Sequence, residues 1–372
     1  MIELTEKNVA EYLRGRHAAS DRELLVQSLT GGVANVVLKV FDTGGGERIG
    51  TDLRSETKKR QGVPDARMTA GSCMVLKQPL EQFKTAAEWR VERDRLWVER
   101  DCMRLLNDIL PGGSVPEVLF DDHENYILSI SCAPPGAVIW KKLLLEGRVD
   151  LMACDNAGAL LAMMHSATRG DKAVQERFGD PLFFIQQRTD PYLAAVGAAH
   201  RDLQPTMAAL AEALLNARQC LIHGDFSPKN IFAVYDAPED DKTPRKFQRL
   251  LLLDFEVAFY GHPAFDVATL INHLLLKAFY RGGGWRSYML GVDRFWHIYR
   301  TTVAPELSAA SGQLGGRLLG ALLLARVDGK SPAEYIVDEA VKDRIRACGR
   351  KLLENPAIDL DGALDEAAMF FV

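Results

Sequence analysis

The chain has 372 residues, of which 47% are hydrophobic, and its formal net charge is -5 at pH 7. Because one domain usually holds about 100–200 residues, this length predicts a globular protein of two domains. Its acidic and basic residues are interspersed, which argues against a nucleic-acid-binding stripe or a polybasic anchor and leaves small molecules as the expected partners. Without a leader pattern or an apolar run of about 18 residues, we expect a cytoplasmic protein with no membrane partner.

Six cysteines occur singly, mostly within apolar runs. They lack the C-x-x-C spacing of a zinc site and the density of a small secreted scaffold. We therefore predict that all of them are reduced and structural: Cys73, Cys102, Cys132, Cys154, Cys220 and Cys348.

The first third of the chain predicts short strands joined by glycine-rich turns. Strands are expected at 24–29 and 36–41, and Gly31 and Gly32 lie at the tip of the hairpin between them. Glycines let backbone amides approach phosphate oxygens, but a Gly-Gly hairpin is an ordinary turn in most proteins. A third strand ends on Lys77, whose ammonium group either reaches a phosphate or extends to water.

A polar segment and a helix complete this region. Residues 42–72 form a polar stretch that is too long for a normal hairpin loop. Helical spacing is predicted at 85–107, where large apolar residues recur every seven positions. Glu92 and Glu99 lie two turns apart on one stripe of this helix, so either is a candidate partner for Lys77.

The strongest boundary in the chain is the sequence SCAPPG at 131–136. Paired prolines stiffen a crossing segment, and the following glycine lets it turn. We predict a β-rich first lobe at 1–130, a hinge at 131–136 and a mainly helical second lobe at 137–372. Within the second lobe, residues 181–192 are predicted to be irregular and a long helix opens near Ala264.

Two polar motifs follow predicted strands of the second lobe. The first is HGDFSPKN at 223–230 and the second is DFE at 254–256. Asp225 can orient a substrate hydroxyl and take its proton, while Asn230 and Asp254 offer the hard oxygen ligands that magnesium prefers. Transfer of a phosphoryl group from ATP to an alcohol needs this combination of positioning and charge neutralisation.

These motifs resemble those of the aminoglycoside phosphotransferase and choline kinase superfamily, and segments 140–147 and 254–261 are most similar to methylthioribose kinases. The resemblance implies an α+β, two-lobed protein-kinase-like fold, with a small antiparallel β-rich first lobe and a larger, mainly helical second lobe. It implies Asp225 as catalytic base, Asn230 and Asp254 as magnesium ligands, and Asp266 as a brace for the catalytic loop.

The resemblance also extends to residues around these motifs. In the first lobe it implies that Gly31, Gly32 and Asn35 belong to a nucleotide-covering loop, that Lys77 binds phosphate, and that Glu99 pairs with Lys77, with Glu92 as the alternative. The remaining supporting residues belong to the two motifs. They are His223, expected to hold the loop backbone, Lys229, expected to neutralise charge or face solvent, and Glu256.

We therefore expect an ATP- and magnesium-dependent phosphotransferase that acts on a hydroxyl group of a sugar, an amino alcohol or an aminoglycoside. The alternative is a catalytically silent, nucleotide-binding pseudokinase that serves as a partner module, although every required catalytic residue type is present. A protein kinase is disfavoured because no activation segment ending in Ala-Pro-Glu follows Asp254. Neither the net charge nor the count of aromatic residues selects the acceptor.

Overall fold

The computed structural model describes residues 1–19, 23–29, 35–43, 68–69, 71–82, 91–236 and 245–371. The chain divides into two compact units. The first comprises Met1–Leu96 with Pro116–Cys132, and the second comprises Trp97–Val115 with Ala133–Val372. None of the helices within the described ranges combines the length and the apolar character needed to cross a membrane. Whether the two units carry nucleotide binding and catalysis, respectively, stays a prediction.

The first unit is built on a five-stranded antiparallel sheet in the order β1-β2-β3-β5-β4. The predicted hairpin is confirmed, because β1 and β2 pair directly. Side chains alternate between the two faces of a strand, so Leu38, Val40, Met74 and Leu76 enter one core together. The elements up to the hinge are α1 (Val9–Gly15), β1 (Leu24–Ser28), β2 (Asn35–Asp42), β3 (Cys73–Pro79), α2 (Arg95–Ile109), β4 (Val118–Asp122) and β5 (Ile127–Ser131).

A disulfide joins the ends of two neighbouring strands in this sheet. The register pairs Met74 with Ser131, so the next pair along the ladder is Cys73 and Cys132. Their Cα atoms lie 5.8 Å apart and their sulfur atoms are bonded. The prediction that all six cysteines are reduced is therefore wrong for these two, which are separated by 59 residues and meet only through strand register. The other four cysteines are free and buried.

Removal of this disulfide is expected to destabilise the protein. The bond closes a long loop in the unfolded chain, so the Cys73→Ser, Cys132→Ser double variant should lose about 2–4 kcal/mol of unfolding free energy. Urea unfolding with and without a reducing agent measures the loss. The reductant should lower the midpoint of the wild type and leave the double variant unchanged; equal midpoints for the wild type under both conditions would contradict the prediction.

Helix α2 does not include residues 91–94 of the predicted helix 85–107, and residues 85–90 lie outside the described residues. It starts at Arg95, and Glu92 precedes it as an exposed residue, so the two candidate glutamates do not share one helix face. The buried guanidinium of Arg95 donates to the carbonyl oxygens of Val91 and Glu92 and to that of Leu80. These bonds stabilise a non-helical turn directly before the helix, a tertiary arrangement that spacing alone does not reveal.

The second unit is mainly helical and contains two small antiparallel sheets, β6-β8-β9 and β7-β10. Gly136, at the predicted hinge, adopts a φ of +81°, and a Cβ there would lie 2.2 Å from the Tyr235 carbonyl oxygen, so only glycine fits. The first elements of this unit beyond the hinge are β6 (Ala137–Ile139), α3 (Trp140–Leu145), α4 (Leu151–Thr168), α5 (Lys172–Phe178), α6 (Leu182–Phe184), the π-helix Ile185–Ala194, α7 (Ala195–Ala199) and α8 (Gln204–Asn216).

The rest of the unit places one buried helix, α9, among its neighbours. This helix packs against α10 and α11, and its residues from Ala264 to Phe279 are all buried except His273. The predicted long helix near Ala264 is thus confirmed. The remaining elements are β7 (Cys220–Ile222), β8 (Ile231–Tyr235), β9 (Phe247–Leu252), β10 (Phe259–Gly261), α9 (Ala264–Arg281), α10 (Trp285–Thr302), α11 (Pro305–Asp328), α12 (Glu339–Glu354) and α13 (Leu360–Ala368).

The stretch predicted to be irregular at 181–192 is helical. A short helical turn leads into the π-helix Ile185–Ala194, which contains Pro191. A π-helix is wider than an α-helix and is uncommon, often occurring at functional sites. Its hydrogen-bond pattern has no simple periodicity signal, and the proline favoured an irregular interpretation of the sequence.

Candidate active site

The two polar motifs meet at the ends of paired strands. Residues 223–230 leave β7 at Ile222 and enter β8 at Ile231, with a 3₁₀ turn at Pro228–Asn230. The β8-β9 register pairs Ile231 with Leu252, and the Leu253 amide donates to the Asn230 carbonyl oxygen at 2.9 Å. Asp254 is the next residue after Leu253 and therefore lies beside Asn230. We call residues 223–230 the catalytic loop.

Asp225 is a nearly buried carboxylate that contacts two cations. Its Oδ2 lies 2.9 Å from Nη2 of Arg188 and 3.0 Å from Nζ of Lys229. The Asn230 side-chain nitrogen donates to the same oxygen at 2.9 Å. Burial by itself would raise the pKa of Asp225, but the charges of Arg188 and Lys229 outweigh it and hold this pKa well below the ordinary aspartate value. The group is therefore an anion at neutral pH.

Arg188 is a member of this site that the sequence analysis missed. It lies on the π-helix, is 7% exposed, and donates from Nε to the Gly224 carbonyl oxygen at 2.5 Å. Burial lowers its pKa, yet the Asp225 charge outweighs burial and raises it. Arg188 is therefore a permanent cation bound to both the backbone and the carboxylate of the loop. The sequence signal for this role was a charged residue within an apolar, aromatic stretch. Such a stretch is expected to be buried, and a buried charge needs a partner.

Asp266 fixes the start of the catalytic loop. This fully buried carboxylate accepts from the amides of His223 at 2.6 Å and Gly224 at 2.9 Å. Nε2 of His165 lies 3.3 Å from it. Gly224 has a φ of +74°, and a Cβ there would lie 2.3 Å from the Val257 carbonyl oxygen, so a side chain is excluded.

His223 links the two motifs. Its Nδ1 accepts from the Asp225 amide at 3.3 Å, so Nε2 carries the proton and donates to the Leu253 carbonyl oxygen at 3.0 Å. The ring also packs against Phe255, with a centroid distance of 4.6 Å. Burial lowers the pKa of His223, so the ring is neutral. Its contacts are those of a residue that positions the loop.

Asn230 and Asp254 provide a donor set that suits a magnesium ion. The Asn230 nitrogen is occupied by Asp225, which leaves its amide oxygen turned away from that bond. Asp254 is half-buried and has a φ of +69°, an uncommon conformation for a residue other than glycine. When magnesium also binds phosphates, it takes only a few ligands from the protein, and these are hard oxygen atoms. Glu256 follows two residues later and is buried.

The other predicted residues lie apart from this loop in the chain. Gly31 and Gly32 fall outside the described residues, and Asn35 is the first residue of β2. Lys77 is buried inside β3, which continues to Pro79 beyond the predicted end. Glu99 is buried on α2.

Comparison with known proteins agrees with these features. The family model described as "Phosphotransferase enzyme family" matches residues 66–305. Methylthioribose kinase of Yersinia pseudotuberculosis is 25% identical over 305 residues, which cover 73% of this chain and 64% of the relative. Methylthioribose kinase 1 of Oryza sativa subsp. japonica is 24% identical over 242 residues, covering 58% and 53%. The chain thus spans less than two thirds of the length of these relatives.

Among solved structures, the ethanolamine kinase of Plasmodium vivax superposes with a TM-score of 0.50 at 12% identity, covering 99% of this chain and 88% of that one. This likeness concerns the fold, and it confirms the predicted kinase-like α+β architecture. The family model covers well over half of the chain, including both motifs and Asp266. The chain therefore belongs to the phosphotransferase enzyme family.

Proposed function

We propose that this protein is an ATP-dependent kinase that transfers the γ-phosphoryl group to a hydroxyl group of a small molecule. The observation that carries the proposal is the environment of Asp225. This anionic carboxylate contacts two cations and accepts a hydrogen bond from Asn230, and Asp254 lies beside Asn230. Membership of a phosphotransferase family supports the reaction class. The names of the methylthioribose kinase relatives put a sugar first among candidate acceptors.

In this mechanism Asp225 accepts a hydrogen bond from the acceptor hydroxyl. This bond orients the hydroxyl oxygen towards the phosphorus atom. Because its pKa is low, Asp225 is a weak base and takes the proton late, when the new O–P bond has made the hydroxyl acidic. Asn230 and Asp254 would hold magnesium, which when bound neutralises charge on the phosphates. Arg188 keeps the carboxylate in place, and Lys229 faces the transferred group.

The proposed nucleotide contacts come from the first unit and α2. Gly31, Gly32 and Asn35 would cover the nucleotide, and Lys77 with Glu99 would set the position of its phosphates. These assignments rest on the resemblance of the sequence motifs.

Measurement of ATP consumption with a panel of sugars, amino alcohols and aminoglycosides tests this function. A kinase should consume ATP in proportion to phosphorylated product for at least one acceptor. Binding of magnesium-ATP without transfer to any acceptor would favour the pseudokinase alternative, and failure to bind it would contradict the proposal.

The acidic limb of the pH-rate profile provides a further prediction. Lys229→Met removes one of the two cations beside Asp225, so the pKa of this carboxyl should rise towards the ordinary aspartate value. Asp225 acts as an anion, so activity is lost as pH falls through its pKa. The acidic limb of kcat/KM should therefore move to higher pH in the variant, and an unmoved limb would contradict this. Lys172→Met, at an exposed lysine, is the control.

A further inference from the structure

A polar stripe runs along the otherwise apolar helix α9. Asp266, Thr269, His273 and Lys277 are spaced by three or four residues, so they lie on one face of the helix. The stripe begins at the catalytic loop, where Asp266 binds the loop amides. Thr269 is 5% exposed, and its hydroxyl has no hydrogen-bond partner among the described residues. Polar groups buried in this way normally face a partner or a ligand.

Lys277, further along this stripe, is a fully buried lysine without a counter-ion. Its Nζ donates to the His273 carbonyl oxygen at 3.0 Å and lies 5.4 Å from the centroid of the Tyr335 ring. Within the described part of the chain, no carboxylate lies within ion-pair distance of it. A buried ammonium group is costly unless it is paired. Burial and, after it, the charges of Lys141 and Arg326 lower the pKa of Lys277 to about 7, and the charge of Glu334 opposes them only in part.

A second cation, Lys141, contacts the same tyrosine, and while burial raises the pKa of Tyr335, the charge of Arg326 lowers it. Nζ of Lys141, on α3, lies 5.8 Å from the Tyr335 ring centroid and forms an ion pair with Glu334. Arg326, on α11, donates from Nη1 to Ser331 at 3.0 Å, while its buried Nε has no acceptor among the described residues. The buried Tyr335 hydroxyl is also without a partner there. We call Lys141, Lys277, Arg326, Glu334 and Tyr335 the Tyr335 cluster.

The Tyr335 cluster carries more positive than negative charge. Lys141 and Lys277 contact the Tyr335 ring, the charge of Arg326 acts on both Lys277 and Tyr335, and the single carboxylate of the cluster, Glu334, is already bound to Lys141. A cationic acceptor would be repelled by this arrangement, whereas an anion would supply the counter-charge that Lys277 lacks. The planar guanidinium of Arg326 and the tyrosine hydroxyl add hydrogen-bond donors that match oxygen anions.

The cluster is next to the catalytic loop. Helix α3, which carries Lys141, packs against both α9 and the turn Pro228–Asn230. The charges of Lys277, Arg326, Asp225 and Lys229 all act on His273, the stripe residue one turn before Lys277. Burial, followed by the charges of Lys277 and Arg326, lowers the pKa of His273, so this ring is neutral. The cluster and the catalytic loop are therefore linked by one helix, α3, which carries Lys141 and contacts the turn Pro228–Asn230.

We propose that the Tyr335 cluster binds an anionic group of the acceptor, either a carboxylate or a phosphate monoester, and that Lys277 is the residue that selects it. This proposal rests on the proposed kinase function, because it takes the ligand to be an acceptor whose hydroxyl group faces Asp225. The acceptor class is accordingly a hydroxylated acid or a sugar phosphate.

Isothermal titration calorimetry with four matched polyols tests the proposal. Gluconate and glucitol 6-phosphate carry the two candidate anions, glucitol is neutral, and glucamine is cationic. Titrations are made with AMPPNP and magnesium present, at pH 8, in buffers of different ionisation enthalpy. At least one anion should bind about 10-fold more tightly than glucitol and glucamine, since that ratio corresponds to one modest ionic contact. Its binding should take up protons, because an anion raises the pKa of Lys277.

Lys277→Met should abolish both the preference for the anion and the proton uptake. Methionine fills a similar volume without a charge, so the variant is expected to fold. Lys142→Met, at the exposed neighbour of Lys141, should retain both properties. Equal binding of glucitol and both anions, no binding of either anion, or an unchanged preference in Lys277→Met would each overturn the proposal. Anion-selective binding that Lys277→Met abolishes, together with no ATP consumption on any acceptor of the panel described above, would instead contradict the proposed kinase function and leave the anion-binding site standing.

Discussion

Replacement of Asp225 by asparagine is expected to lower the rate of phosphoryl transfer by about 10²- to 10⁴-fold, the usual contribution of a positioned general base. Asparagine keeps the shape of the side chain but presents no anion to the acceptor hydroxyl. Nucleotide affinity should change little, because Asp225 contacts the acceptor in the proposed mechanism. Single-turnover rates with an identified acceptor and titration of magnesium-ATP binding measure the two effects.

The same variant leaves Arg188 buried beside a neutral group, so its folded state must be checked by thermal unfolding. Asp365→Asn makes the identical chemical change at an exposed position of α13 and should retain full activity. Full turnover by a folded Asp225→Asn protein would refute the role proposed for this residue.

Asp266→Ala is expected to have the largest effect on stability. The substitution leaves the buried amides of His223 and Gly224 without an acceptor. Each unsatisfied buried donor costs about 1–3 kcal/mol, so the loss of the acceptor for two donors should lower the unfolding free energy by about 2–6 kcal/mol. Activity should fall as well, because these bonds hold the catalytic loop. Urea unfolding measures the change as a lower midpoint with an unchanged slope.

Glu306→Ala is the matched control for this prediction. Glu306 occupies the first turn of α11, as Asp266 does in α9, but it is exposed and pairs with Arg169 at the surface. Loss of its interaction with the helix dipole and of one surface ion pair should cost less than about 1 kcal/mol. If Asp266→Ala were no more destabilising than Glu306→Ala, the hydrogen bonds from the loop amides to Asp266 would not stabilise the fold.

The candidate site illustrates which residues local sequence reveals. Asp225 and Asn230 are five residues apart, and Asp254 follows the strand that pairs with β8, so their proximity depends on one turn and one hairpin. Arg188 contacts the same carboxylate from 37 positions earlier, on a π-helix that has no clear periodic signal. Its contact with Asp225 could not be predicted, because that contact depends on how the π-helix packs against the loop.

The sequence by itself determined the β-rich and helical parts of the chain, the family, and the order of Asp225, Asn230 and Asp254, because hydrophobic periodicity and short motifs are local properties. Tertiary structure alone decided the Cys73–Cys132 disulfide, the contact between Arg188 and Asp225, and the Tyr335 cluster. These features join residues far apart in the chain, and strand register, helix packing and burial decide which of them meet. Burial is also what lowers the pKa of Lys277 to about 7.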